Sequence, residues 1–153
     1  MIEDKKFTIE EILLKEGKYI GPTVGVSMLP MLKNRRDTIV VLPKNERLKP
    51  YDVALYKRGN DYVLHRVLTP LEDGYLIRGD NCYNDEHIKE ECVIGVLSEF
   101  FQKNKHILCT DKKYIAYAKR RVKSYPIRRF FVLLFVKIKN IAKKILKFLK
   151  LRK

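Results

Sequence analysis

Residues 52–68, DVALYKRGNDYVLHRVL, decide the fold, because they contain two predicted strands joined by a turn. The segments DVALYK and YVLHRVL are rich in β-branched and aromatic residues, which favour strands. Between them, the Gly59-Asn60 pair and its charged neighbours are typical of a hairpin turn. This stretch therefore predicts two antiparallel strands.

Further strand patterns lie on both sides of this hairpin. They are predicted at residues 23–24, after a break at Gly21-Pro22, and at residues 38–42, 74–78, 92–97 and, more weakly, 105–109. Short strands at close spacing are typical of sheets that curl and partly close. The sequence therefore predicts a mainly β domain at residues 21–111, a partly closed antiparallel body.

Both ends of the chain have helical patterns instead. Thr8 and Glu11 form a capping box for a helix over residues 8–17, within an N-terminal segment 1–20. Strand signals stop near Asp111. Residues 112–123 are interpreted as a helix or connector, and Pro126 is expected to start an amphipathic helix in a C-terminal segment 112–153.

Charge divides the chain at the same place. The net charge is +15, yet residues 1–111 contain 17 Lys and Arg against 18 Asp and Glu. From Lys112 onward there are 16 Lys and Arg and no acidic residue. The basic character therefore belongs to the tail and predicts an anionic partner for it, lipid or nucleic acid.

A serine in a tight turn is the first candidate for chemistry. Gly25, Ser27, Met28 and Pro30 follow the predicted strand at residues 23–24. A flexible residue before the serine and a proline after it favour an exposed hydroxyl, with the serine N–H free to donate to an oxyanion. A plain loop serine is the alternative.

A histidine and an aspartate complete the candidate site. On strand alternation, His65 shares a face with Val63 and Val67, and it has the pKa of a general base. A hydrogen-bonded core histidine is the alternative. Asp80, in the turn Gly79-Asp80-Asn81, is placed to orient an imidazole or simply to form a turn.

These segments, in this order, resemble the successive boxes of signal peptidase I and its relatives, whose fold the repressor self-cleavage domains share. The matching stretches are GVSMLP (25–30), YDVALY (51–56), VLHRV (63–67), RGDN (78–81) and VIGV (93–96), covering roughly residues 20–98. Bacterial signal peptidases typically carry a lysine in the third box. His65 is similar to the Ser-His branch found in endoplasmic-reticulum, archaeal and sporulation-type enzymes.

The resemblance implies a serine endopeptidase that cleaves leader or signal-type peptides without a metal or other cofactor. Ser27 would attack, His65 would carry the proton and Asp80 would support it, with Asp85 as the rival acid. Gly25 offers no side-chain hydroxyl, so the oxyanion hole is expected from backbone N–H groups. Family members usually have a spanning helix before the serine, whereas here the charged helix of residues 8–17 takes that place.

Three other functions stay open. The first is an inactive peptide-binding or scaffold module with the same fold. The second is a regulator that cuts itself or binds DNA, although no helix-turn-helix pattern precedes the body. The third is a thiol enzyme using Cys82 beside His87, although reduced structural thiols are the ordinary interpretation of three unpatterned cysteines.

The tail is interpreted as a helix lying in the membrane surface. Its longest apolar run, residues 130–136, has seven residues, too few for a spanning helix. Aromatic residues on one face and lysines around it suit an anionic lipid surface on the cytoplasmic side. Docking to a partner or a second copy is the alternative, and nucleic acid is disfavoured by the bulky aliphatic residues. The candidate membrane-binding residues are Phe130, Phe131, Lys137, Lys143, Lys144 and Lys147.

Overall fold

The computed structural model describes residues 7–150, and over residues 146–150 it describes the helix backbone alone. The N-terminal helix is α1 (Ile9–Glu16), and α2 (Lys112–Lys123) and α3 (Tyr125–Lys150) follow the last strand. The strands are β1 (Tyr19–Pro22), β2 (Thr38–Pro43), β3 (Val53–Arg58), β4 (Asp61–Leu71), β5 (Gly74–Arg78), β6 (Glu86–Lys89), β7 (Val93–Gln102) and β8 (Lys105–Leu108). A short 3-10 turn, Glu90–Cys92, precedes β7.

Within the described residues, the eight strands form one antiparallel sheet that curls into a half-barrel. The strand order is β1-β2-β7-β3-β4-β5-β6, and β8 pairs with β7. The prediction of a mainly antiparallel, partly closed β body with helices at both ends is confirmed. The capping box is also present, with Thr8 and Glu11 bonding each other's main and side chains.

The hairpin that the sequence predicts is formed by β3 and β4, and Gly59 turns the chain with a φ of 60°. The prediction of a strand at residues 23–24 is wrong. The strand in this region, β1, ends at Pro22 and includes Gly21-Pro22, where a break is predicted. Gly21 fits there because the Tyr19 ring lies where a Cβ would be. Proline is tolerated because β1 is the terminal strand in the sheet order. Strand β6 was not predicted.

Side-chain alternation along β3 builds two cores, one on each face of the sheet. Val53 and Leu55 pack into one core, and Ala54 and Tyr56 pack into the other. His65 lies opposite Ala54 in the register of β3 and β4. His65 therefore lies on β4, directly beside a strand, β3, that packs against a core on each of its faces.

Arg66 and Asp80 form an ion pair inside the domain. Two guanidinium nitrogens of Arg66 donate to the two carboxylate oxygens of Asp80, each over 2.8 Å. The two side chains are 0% and 2% exposed. Arg66 also donates to the Tyr51 carbonyl and to the hydroxyl of Tyr114, and Tyr117 donates to Asp80.

Helix α2 packs directly on this pair. Tyr114 and Ala118 are buried, and Tyr114 joins the same core as Leu13 of α1. Residues 112–123, interpreted as a helix or connector, form the helix α2, with Asp111 at its N-cap position. The helices on both sides thus share this core with the sheet. The division of the chain into segments 1–20, 21–111 and 112–153 stays a prediction.

Asp80→Ala is expected to destabilise the protein by about 3–5 kcal/mol, because it leaves the buried Arg66 cation without its counter-charge. The matched control is Asp85→Ala, which breaks a more exposed pair with Arg78 and should cost less than about 1 kcal/mol. Denaturant unfolding of the two variants measures the difference. Equal losses would contradict a dominant role for the buried pair.

Candidate active site

The turn that carries Ser27 is braced from both sides. Gly25 has a φ of 98°, a conformation that L side chains rarely adopt, and its N–H donates to the side chain of Asn34 over 3.0 Å. Just before it, the Thr23 N–H donates to the carbonyl of the buried Asp37 over 3.0 Å. Glycine is thus required by the backbone angle that leads the chain into the serine turn.

Neither the hydroxyl nor the amide of Ser27 has a hydrogen-bonding partner among the described residues. Its carbonyl, in contrast, accepts from the Asn81 N–H over 2.7 Å. The Asn81 side chain also donates to the Val26 carbonyl over 3.2 Å. The serine turn is therefore fixed through its carbonyl groups, while the two groups needed for nucleophilic attack and oxyanion binding are unengaged.

His65 is 3% exposed, and its Nδ1 faces two oxygen atoms. The Tyr56 hydroxyl lies 3.2 Å away and a carboxylate oxygen of Glu86 lies 3.3 Å away. Tyr56 donates to the other oxygen of Glu86 over 3.0 Å, so its own oxygen accepts from the histidine. With two acceptors at Nδ1, the proton of a neutral imidazole belongs there, and Nε2 keeps its lone pair.

Gly79 brings the serine turn and this lone pair together. A Cβ on Gly79 would lie 2.8 Å from the Ser27 carbonyl oxygen and 3.0 Å from Nε2 of His65. It would also lie 2.7 Å from the sulfur of Cys82. Only a residue without a side chain allows the two turns and the imidazole to approach so closely.

Ser27 and His65 line the same cavity, which has a volume of about 650 Å³. No hydrogen bond joins the Ser27 hydroxyl to the imidazole in this structure. Catalytic hydrogen bonds are often long before substrate binds and tighten in the complex. The two predicted residues therefore line one cavity, without a hydrogen bond between them.

Burial lowers the pKa of His65 below 6.5, because the interior disfavours the imidazolium. The Glu86 carboxylate acts in the opposite direction and stabilises the cation, while Arg58 opposes it. Burial and the hydrogen bond to Glu86 raise the pKa of Tyr56, so its hydroxyl remains a donor at neutral pH. The imidazole is thus neutral at rest and has a carboxylate ready when it gains a proton.

The two predicted acids lie elsewhere. Asp80 is engaged by Arg66, and Asp85 accepts from Arg78 over 2.7 Å. The structure gives the position beside Nδ1 to Glu86, one residue past the rival that the sequence suggested. Asp80 still acts on His65 at longer range, since its charge favours the protonated ring.

Glu86 and Tyr56 were both missed, Glu86 because β6 was missed. Glu86 shares a strand face with Ile88, which is buried against the core that contains Tyr56. A strand pattern through residues 86–89 would have placed the carboxylate on that inner face.

The other residues that the sequence singles out near the site differ in burial and contacts. Met28 is buried in the core and anchors the turn, whereas Pro30 is exposed. Cys82 lines the same cavity as His65, and burial raises the pKa of its thiol, which makes the thiolate scarce. His87, its partner in the thiol-enzyme alternative, is exposed and pairs with Asp73 over 3.0 Å. Among the described residues, no group of three His, Cys, Asp or Glu side chains is arranged to hold a metal.

Helix α3 presents large apolar side chains to solvent. Phe130 and Phe131 are more than three-fifths exposed, and aliphatic neighbours such as Leu133 and Ile138 are about half exposed. Lys137, Lys143 and Lys144 are exposed as well, while the side chain of Lys147 lies outside the described residues. Over the described part of the chain, no helix combines the length and the apolar character needed to cross a membrane.

Comparison of the chain with models of protein families, with curated proteins and with solved structures gives no match. What the site does is therefore inferred from its own residues.

The imidazole of His65 is expected to titrate below pH 6.5, because burial outweighs the attraction of Glu86. Glu86→Gln removes the charge that favours the imidazolium and should move the midpoint to still lower pH. NMR titration of the ring protons measures both values, with free imidazole in the same buffer as the reference. A His65 midpoint above pH 6.5, or an upward shift in Glu86→Gln, would contradict the contacts described.

Proposed function

We propose that this protein is a serine endopeptidase that uses Ser27 as nucleophile and His65 as general base. The observation that carries the proposal is the lone pair on Nε2 of His65, which borders the serine turn at Gly79 in a shared cavity. An unbonded hydroxyl and an unbonded amide on the same serine supply the nucleophile and an oxyanion donor.

In the proposed reaction, the Ser27 hydroxyl adds to the carbonyl carbon of a peptide bond and its proton passes to Nε2 of His65. Glu86, whose carboxylate lies 3.3 Å from Nδ1, stabilises the imidazolium by its charge. The same proton then moves to the nitrogen of the leaving amine, and the peptide bond breaks to leave an ester on Ser27. A water molecule, activated by His65, hydrolyses that ester.

The cavity indicates what the substrate presents beside the cut bond. Apolar side chains from three strands and the serine turn line much of it: Met28, Leu32, Ile39, Leu55 and Leu64. Such walls accept an apolar segment of an extended peptide. Together with the resemblance to signal peptidases, this supports a leader or signal-type peptide as the substrate.

Ser27→Ala and His65→Ala should each lower cleavage of a leader-peptide panel by at least about 1,000-fold, because nucleophile and base act as a unit. Matched controls are Ser98→Ala and His87→Ala, which change the same residue types outside the cavity. Cleavage rates by mass spectrometry give the comparison. A fluorophosphonate that labels serine nucleophiles should attach to Ser27 in the unmodified protein.

Equal cleavage by Ser27→Ala and the unmodified protein would remove the peptidase proposal. Peptide binding without cleavage or labelling would favour the inactive module instead. Label on Cys82 rather than Ser27 would assign the chemistry to the thiol.

We further propose that α3 lies on an anionic membrane surface, on the cytoplasmic side, and holds the peptidase near its substrate. Two observations support this. Helix α3 exposes more neighbouring large apolar side chains than a monomeric protein usually leaves in water, and the tail has no acidic residue. Each basic residue near an anionic leaflet adds about 1 kcal/mol of attraction. Nucleic acid would match the charge but leave Phe130, Phe131 and their apolar neighbours uncovered.

The full chain should sediment with vesicles that contain phosphatidylglycerol and only weakly with pure phosphatidylcholine vesicles. Ile138→Asp with Ile141→Asp should weaken binding by at least about tenfold, because both side chains are more than half exposed and face the lipid. Ile115→Asp, on α2, is the control and should bind normally. Equal binding by the double variant would refute the surface, and a dimer that the same change breaks would favour docking of a second copy.

A further inference from the structure

The main-chain turns beside Ser27 and His65 are held by a side chain from the basic tail. One turn follows Ser27 and contains Leu29, and the other is Gly79-Asp80-Asn81. Arg121, in the last turn of α2, donates from Nε and Nη2 to the Asp80 carbonyl over 3.0 and 2.6 Å. The same Nη2 donates to the Leu29 carbonyl over 3.3 Å. One guanidinium therefore bridges both turns.

A second arginine supports the first. Arg128, at the start of α3, donates to the Arg121 carbonyl over 2.8 Å and to the Asp80 carbonyl over 3.3 Å. The neighbouring Tyr125 donates to the Tyr83 carbonyl over 2.6 Å, and its ring lies 3.2 Å below the Arg78 guanidinium. The junction of α2 and α3 is thus fastened to the segment that runs from Gly79 toward Glu86.

This bridge is the second connection between the serine turn and the turn at Gly79. The Asn81 N–H already bonds to the Ser27 carbonyl, and Arg121 adds a second connection between the same two turns on the side of Leu29 and Asp80. With both connections, the serine turn has little freedom to rotate relative to Gly79, against which Nε2 of His65 lies. A charged, forked donor suits this role because each of its hydrogen bonds to a carbonyl is stronger than a neutral one.

We propose that Arg121 is a positioning residue of the peptidase, which sets the approach of the Ser27 hydroxyl to His65. It does not touch the reacting atoms. The inference rests on the proposed function and makes the basic tail, up to the α2–α3 junction, part of the catalytic unit. The basic residues beyond that junction remain available for a membrane surface.

Steady-state kinetics on a cleaved leader peptide test this role in the full chain. Arg121→Ala should lower kcat by at least about tenfold while KM changes less than twofold, because misplacement of reacting groups slows the chemical step. Arg121→Lys, which keeps the charge but loses the fork, should recover part of that loss. Millimolar guanidinium chloride should raise the rate of Arg121→Ala but not that of the unmodified protein. The matched control is Arg120→Ala, an exposed neighbour on α2, which should leave kcat unchanged.

Amide hydrogen exchange gives a readout that needs no activity. The Asn81 amide, which bonds to the Ser27 carbonyl, should exchange at least about tenfold faster in Arg121→Ala, whereas amides in the centre of β3 should not change. Faster exchange across the whole domain would show a merely structural role and overturn the inference.

The two proposals fail differently. If the unmodified protein neither cleaves peptides nor reacts with a fluorophosphonate, the peptidase proposal fails and the positioning role fails with it. If the unmodified protein cleaves and Arg121→Ala cleaves equally fast with an unchanged Asn81 amide, only the role of Arg121 is refuted.

Discussion

The buried ion pair between Arg66 and Asp80 is the constraint on which the rest of the site depends. Each partner is the chain neighbour of a site residue, since Arg66 follows His65 on β4 and Asp80 follows Gly79 at the end of β5. A bidentate pair without solvent has little positional freedom. It therefore fixes the strand that carries the imidazole relative to the turn that contacts the serine loop. Tyr114 and Tyr117 join the pair from α2, which extends the same constraint to the helical tail.

The two nitrogens of the His65 imidazole face different parts of the candidate site. On the inner side, the Tyr56 hydroxyl accepts the proton of Nδ1 and donates its own to Glu86, whose carboxylate lies 3.3 Å from Nδ1. Burial keeps the ring neutral. On the outer side, Nε2 borders the serine turn over Gly79. Burial without a carboxylate would make the imidazole a weak base. A carboxylate beside an imidazole without burial would favour the protonated ring. The combination gives a neutral ring whose cation is stabilised when it forms.

The chain also separates its charges in a way that the fold does not follow. Acidic residues stop at Asp111, yet the packing of the body continues into α2 through Tyr114 and Ala118. The first part of the basic tail uses its arginines internally, as Arg121 and Arg128 do with main-chain carbonyls. Beyond the junction, Lys137, Lys139, Lys143 and Lys144 of α3 are exposed beside large apolar side chains. The structural part and the part that we propose to bind a membrane surface thus belong to one uninterrupted basic segment.

The sequence by itself determined the local structure and two site residues. The capping box at Thr8, the hairpin through Gly59 and the strand Gly74–Arg78 all depend on neighbouring residues, so pattern and propensity were sufficient to predict them. The motifs around Ser27 and His65 likewise identified the pair that shares a cavity. Only the tertiary structure decided that Glu86 takes the place beside His65 while Asp80 pairs with Arg66, and that Arg121 bridges two turns distant in sequence. The adjacent acids show this: Asp85, just before β6, pairs with Arg78, whereas Glu86, the first residue of β6, pairs with Arg58 and lies beside His65. Neighbouring residues cannot give these pairings, because which carboxylate meets which cation depends on strand register and burial across many residues.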